Sequence, residues 1–347
     1  MKKLFVVLCA VAALGLAACH KDNPQPSEVG DGRGGQQQDE IPAGDGVFNP
    51  DMRITSVVYD DDRLPEIWLW QDGKLQSINN DDNCGGYTPV STFVYNGWRV
   101  ASMTSSQDGL SYEAYYSYVG DKLSEVTAFA GNIEAVDIVF GHNTEGKIDH
   151  MSLNVNNTLL NWVLQMFGGG AFKSTASRLP QSKMSVDTTA FDIDLDWQGD
   201  NVSRMYFTGS LMLNVTLAEI AQIVDLDSLF GDNASLLAMI DQTAEMPLQV
   251  TINDTVSYTY DNQHNPFCGF LGAMDPANLS TNNATAVTTT GSVTFTFTVS
   301  TFIGTVYPAF PMSLPSETMV YSYTYNNNGY PLTVTDSEGS ETEYAYE

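Results

Sequence analysis

The chain has 347 residues, of which 42 are acidic and 14 basic, and its formal net charge is −28. Such a polyanion repels nucleic acid and anionic membrane surfaces, so neither is expected to dock on its folded part. Apolar residues make up 43% of the chain, which at this length suffices for one large core or two ordinary ones.

The opening segment, MKKLFVVLCAVAALGLAAC, has a basic start at Lys2 and Lys3, an apolar run from Leu4 to Leu16 and small residues before Cys19. The run is too short to span a bilayer and no stop-transfer pattern follows, so residues 1–18 read as a secretory signal peptide. Its end, Leu16-Ala17-Ala18-Cys19, resembles the lipobox of bacterial lipoproteins. That resemblance implies cleavage before Cys19, a diacylglycerol thioether on its sulfur and anchoring in the cell envelope. The outer membrane is the expected location, on its periplasmic face or at the cell surface. Loss of the two signal lysines takes the mature charge to near −30.

Residues 19–48 are mostly Gly, Pro, Gln and acids with almost nothing to bury, the composition of a flexible tether. A coil of this length spans on the order of 30 Å. A single folded domain is expected over residues 49–347. Cys9 leaves with the signal and Cys19 takes the lipid, which leaves Cys84 and Cys268 either as a disulfide or as two isolated thiols.

From residue 66 onward, two alternating bulky residues repeatedly lead into a polar turn. The pairs are Trp68 and Trp70, Phe93 and Tyr95, Tyr116 and Tyr118, Ile138 and Phe140, Leu195 and Trp197, Tyr258 and Tyr260, and Tyr323 and Tyr325. Gly, Asn and Asp in the intervening turns supply the positive φ that tight hairpins need. After each turn an apolar pair follows at a spacing of three: Leu75 and Ile78, Val100 and Met103, Leu123 and Val126, Ile148 and Met151, Val202 and Met205, Phe267 and Phe270, weakening to Leu332 and Thr335. That spacing breaks the two-residue strand period and predicts a bulge at the same place in each return strand.

The stretches YTYDN at 258–262 and YTYNNNGYPL at 323–332 resemble the tyrosine-aspartate (YD) repeats of Rhs-type proteins and hairpin units of Bacteroidetes lipoproteins. The resemblance implies a mainly antiparallel β architecture and carries no activity. The aromatic positions recur after 25, 23 and 22 residues and then after 57, 63 and 65, so four hairpins form a meander and three are separated by insertions. Two insertions have helical periodicity, near 156–170 and near 216–242. Leu159, Trp162, Val163, Met166 and Phe167 share one helical face, and Thr216 stands in capping-box spacing to Glu219. The expected fold is therefore a mainly β sheet of seven hairpins, partly covered by two or three short helices.

Recognisable catalytic signatures are absent from the sequence: there is no HExxH, paired CxxC or GxSxG. Asp192, Asp194 and Asp196 alternate along one strand and so share a face, which makes them candidate Ca²⁺ ligands or a solvated acidic strip; the EF-hand pattern fails at Trp197 and Ser203. Trp68, Trp70 and Trp98 are the candidate ligand-binding aromatics, Trp98 because no repeat position calls for an aromatic in its turn. No other cofactor is implied. The leading expectation is a lipid-anchored, non-catalytic module that binds or scaffolds a glycan, a peptide or an envelope protein. A carboxylate-dependent hydrolase with two acids converging from different hairpins, and a fimbrial-type assembly subunit, are the alternatives.

Overall fold

A computed structural model describes residues 44–61, 63–81, 87–107, 110–157, 185–216, 245–271, 275–301 and 304–347. The signal peptide, Cys19, most of the tether, Cys84 and nearly all of both expected helical insertions lie outside the described residues. Those that are described form eighteen strands and a short 3-10 turn, Pro276–Leu279.

In chain order the strands are β1 (Ile54–Tyr59), β2 (Glu66–Gln71), β3 (Lys74–Asp81), β4 (Tyr87–Asn96), β5 (Arg99–Gln107), β6 (Leu110–Val119), β7 (Lys122–Ala130), β8 (Ile133–His142) and β9 (Ile148–Val155). There follow β10 (Ser185–Gln198), β11 (Asn201–Val215), β12 (Met246–His264), β13 (Asn282–Phe297), β14 (Val299–Thr301), β15 (Gly304–Val306), β16 (Ala309–Tyr325), β17 (Pro331–Asp336) and β18 (Glu341–Tyr346). Apart from the separate β14–β15 pair, they form one antiparallel sheet. Its hydrogen-bonded order runs from β1 through β2 to β13, then through β16 and β17 to β18, and back to β1.

The mainly β, antiparallel class agrees with the sequence reading, but the architecture differs from a row of seven hairpins with helical cover. The order closes into a sixteen-stranded barrel. The reason lies in two strands outside the repeat pattern. β1 precedes the first aromatic pair, β18 follows the last, and they pair from Ile54 with Tyr346 to Tyr59 with Thr342. A meander of hairpins leaves two open edges, and this pairing removes both.

The expected bulges are present. In β3, Leu75 faces Trp70 and Ile78 faces Trp68, so one more residue lies on the return strand than on its partner. The same shift sets Val100 against Tyr95 and Met103 against Phe93, Leu123 against Tyr118 and Val126 against Tyr116, and Val202 against Trp197 and Met205 against Leu195. Two of the extra residues are serines whose hydroxyls donate back across the hairpin, Ser124 to the Ser117 carbonyl at 3.0 Å and Ser203 to the Asp196 carbonyl at 3.1 Å.

Three repeats are framed differently from the sequence reading. In the fourth, Ile148 faces His142 and Met151 faces Phe140, so the pair is Phe140 and His142. In the seventh, Pro331 faces Tyr325 and Val334 faces Tyr323; Leu332 is the extra residue and is 41% exposed. The sixth is no tight hairpin: β12 continues through Asp261 to His264, and Phe267 and Phe270 lie in the connection to β13.

The residues divide into two compact units. A terminal unit runs up to Asn132 and takes in Tyr260–Thr285 and Val320–Glu347; a central unit takes Ile133–Thr259 and Ala286–Met319. In the terminal unit the buried face holds Ile54, Leu75, Leu123 and Val126, with Phe270 packed on Trp68 at 5.2 Å and on Phe93 at 5.9 Å. In the central unit Val202, Val215, Val250, Ile252 and Phe297 are the most deeply buried side chains.

Candidate functional site

The repeat aromatics serve the fold first. Trp70 Nε1 donates to the Ile54 carbonyl at 2.7 Å, the Tyr95 hydroxyl to Leu75 at 2.8 Å and Trp197 Nε1 to Ile148 at 2.8 Å. Each ties one hairpin to the strand before it. Trp68 is 4% exposed among Phe48, Phe267 and Phe270, so its ring faces are taken. Trp70 packs on Phe48 at 5.5 Å with the Arg53 guanidinium 5.6 Å from its ring centre. Trp98 is half-buried in its turn, with Lys74 Nζ 4.9 Å from its ring. It lies against Gly73, where a Cβ would meet the Trp98 ring at 3.1 Å. Trp98 thus packs one hairpin turn on the next, while Trp68 and Trp70 meet at Phe48.

Asp192, Asp194 and Asp196 follow alternate positions of β10, but each turns to a different cross-strand partner. Ser152 donates to Asp192 at 2.6 Å, His150 Nδ1 lies 2.8 Å from Asp194, and the Tyr206 hydroxyl donates to Asp196 at 2.9 Å. His150 Nε2 also lies 3.7 Å from Asp192. The register that pairs Asp192 with Ser152 and Asp194 with His150 sets this up. Among the described residues no group of three or more His, Cys, Asp or Glu is placed to hold a metal ion. Cys268, half-buried after β12, donates its N–H to the Asn265 carbonyl at 3.2 Å.

A different acid stands on a buried strand face. Glu66 precedes Trp68 by two residues and so shares its side of β2. Its Oε1 accepts from the Tyr59 hydroxyl at 3.0 Å and its Oε2 from Trp68 Nε1 at 3.1 Å. Val57 pairs with Glu66 on one side and with Tyr344 on the other, which places Tyr344 in the same row two strands away. Tyr344 packs against Phe267 at 5.9 Å, and the Arg63 guanidinium lies 3.7 Å over the Tyr59 ring while pairing with Asp61 at 2.8 Å.

Glu66, Tyr59 and Tyr344 are half-buried. Burial, reinforced by the Glu66 carboxylate, pushes the Tyr59 hydroxyl well above the usual phenol range, and the same two causes push Tyr344 up to about 12. Both phenols are therefore neutral donors at neutral pH. Glu66 is held as an oriented acceptor between the Tyr59 hydroxyl and the Trp68 indole N–H. That combination suits the hydroxyls of a hydroxyl-rich ligand, through a fixed acceptor and neutral phenol donors.

Glu66 and Tyr59 were not among the sequence candidates. The signal was available in Glu66-Ile67-Trp68-Leu69-Trp70, where an acid occupies the strand face otherwise held by two tryptophans. Neither a protein-family model nor a curated protein matches the chain.

Proposed function

We propose that this chain is a lipid-anchored envelope protein that binds a hydroxyl-rich ligand, of which a glycan is the simplest class, without transforming it. The observation that carries the binding reading is Glu66, fixed through both oxygens by Tyr59 and Trp68, with Tyr344 in the same row two strands away. The anchor rests on the lipobox-like sequence ending at Cys19.

On β10 and β12 the distribution of side chains supports a wall that meets water. A membrane-spanning barrel turns an apolar band outward and polar groups inward. On β10 and β12, Leu195, Leu248 and Val250 are buried while their strand neighbours Asp194, Asp196 and Gln249 are exposed; on other strands the exposed face also carries Val58, Leu69, Val94 and Val139. Assembly by strand exchange is disfavoured because the last strand, β18, is paired on both sides.

Two measurements test the reading. Replacing Cys19→Ala should move the protein from the membrane fraction to the soluble fraction and abolish incorporation of labelled fatty acid. The mature wild-type chain and Glu66→Gln should then be compared on an array of neutral and acidic oligosaccharides. The reading expects binding by the wild type and a loss of at least about tenfold in the variant, the worth of a hydrogen bond to a charged group. No oligosaccharide binding by the wild type, or equal binding by both proteins, overturns it.

A further inference from the structure

Within the central unit, Val250, Ile252 and Asp254 take successive buried positions on one face of β12. Asp254 is 7% exposed, and among the described residues its Oδ1 has no hydrogen-bond partner. The carboxyl points at β13, where a Cβ on Gly291 would overlap that same oxygen. On the other side, β11 sets Phe207 directly across from it, between Met205 opposite Val256 and Gly209 opposite Ile252. The place beside Gly209 is filled by the Phe191 ring.

We propose that Asp254 is a proton-operated latch on the seam between β12 and β13. Protonated, the carboxyl is a neutral group that fits against Gly291 and lets the two strands close. Ionised, it is a charge with an unsatisfied oxygen in an apolar layer, and the seam must open to admit water. The residues placed against it are Phe207, directly across on β11, and Gly291 on β13, with Ile252 and Val256 next on its own face of β12. None of these carries charge or titrates, so none compensates the anion.

Burial alone pushes the Asp254 carboxyl up to about 6. An aspartate in the unfolded chain titrates near 3.9. Between those values the folded state holds the proton more tightly than the unfolded one, so stability falls as pH rises through this window. The loss is complete above about pH 6.

The test is amide exchange of the mature chain at about pH 5 and about pH 8, corrected for intrinsic rates, in the wild type and in Asp254→Asn. In the wild type, protection at Gly291 and Val293 should fall by roughly tenfold or more relative to Leu153 on β9, and in the variant it should not. Equal behaviour of the two proteins, or no fall in the wild type, overturns the latch. Should Asp254→Asn fail to fold, the ¹³C shift of the wild-type Asp254 carboxyl decides instead. A midpoint near pH 6 sustains the proposal, and one in the ordinary range near 3.9 overturns it.

Discussion

The Tyr118 hydroxyl donates to the Val100 carbonyl at 2.9 Å, and so joins the third hairpin to the return strand of the second. Tyr95 makes the equivalent bond to Leu75, which makes this a repeated structural bond. Tyr118→Phe keeps the ring and deletes only the bond. It should cost about 1 kcal/mol, read as a lower urea midpoint at unchanged slope. Tyr115→Phe is the control, because its hydroxyl reaches only the exposed Glu113 side chain at 2.7 Å. Equal losses in the two variants would contradict a structural role for the inward tyrosines.

The bulge was legible because three-residue spacing in a strand has few physical explanations. Leu75 and Ile78 must both face inward, and only an extra residue between them allows it. Closure of the sheet was not legible. It depends on β1 meeting β18 across nearly the whole chain, and each of those strands looks like an ordinary flank. The sixth repeat failed because Phe267 and Phe270 mimic the spacing of a return strand while belonging to a connection that fills the terminal unit. At the site, clustered acids such as the strip at Asp192 stand out in a sequence although its members bond to separate partners, whereas a lone Glu66 takes its meaning from the strand face it occupies.

The revised frame of the seventh repeat makes Leu332 the extra residue and Val334 the inward one. Leu332→Ser should change stability by less than about 0.5 kcal/mol, as surface substitutions do. The equivalent inward position in the third repeat is Val126, which is 1% exposed. Val126→Ala should cost about 1–3 kcal/mol through lost burial and the cavity left behind. The two urea midpoints separate the frames: a large loss at Leu332 would restore the original pairing.

Calcium should leave the protein unchanged. The three carboxylates of the acidic strip already accept from Ser152 and Tyr206 or sit beside His150, and gathering them on one ion would break those contacts. A bound ion at a hundredfold excess over its dissociation constant would stabilise the fold by about 2.7 kcal/mol. Thermal unfolding with millimolar CaCl₂ and with chelator should therefore coincide, in the wild type and in Asp194→Asn alike. A calcium-dependent rise lost in Asp194→Asn would return these aspartates to the list of metal ligands.

The segment from Gly44 to Phe48 straps the terminal unit. Asp45 donates its N–H to the Asp121 carbonyl at 3.0 Å and accepts from the Leu123 N–H at 2.9 Å, and Gly46 accepts from the Val100 N–H at 3.1 Å. Phe48 is 4% exposed and lies 5.1 Å from Phe270, between the hairpin-end Trp70 and the core Trp68. Gly46 has a φ of 75°, and a Cβ there would overlap the Tyr118 hydroxyl, so the strap passes where no side chain fits. Phe48→Ala should cost about 3–5 kcal/mol, the usual loss for a buried aromatic. Asp45→Ala should cost about 1–3 kcal/mol, since the buried Leu123 would keep an N–H with no acceptor. Both lie at the N-terminal edge of the described fold. Phe48→Ala with a wild-type urea midpoint would show instead that the strap contributes nothing to the stability of the fold.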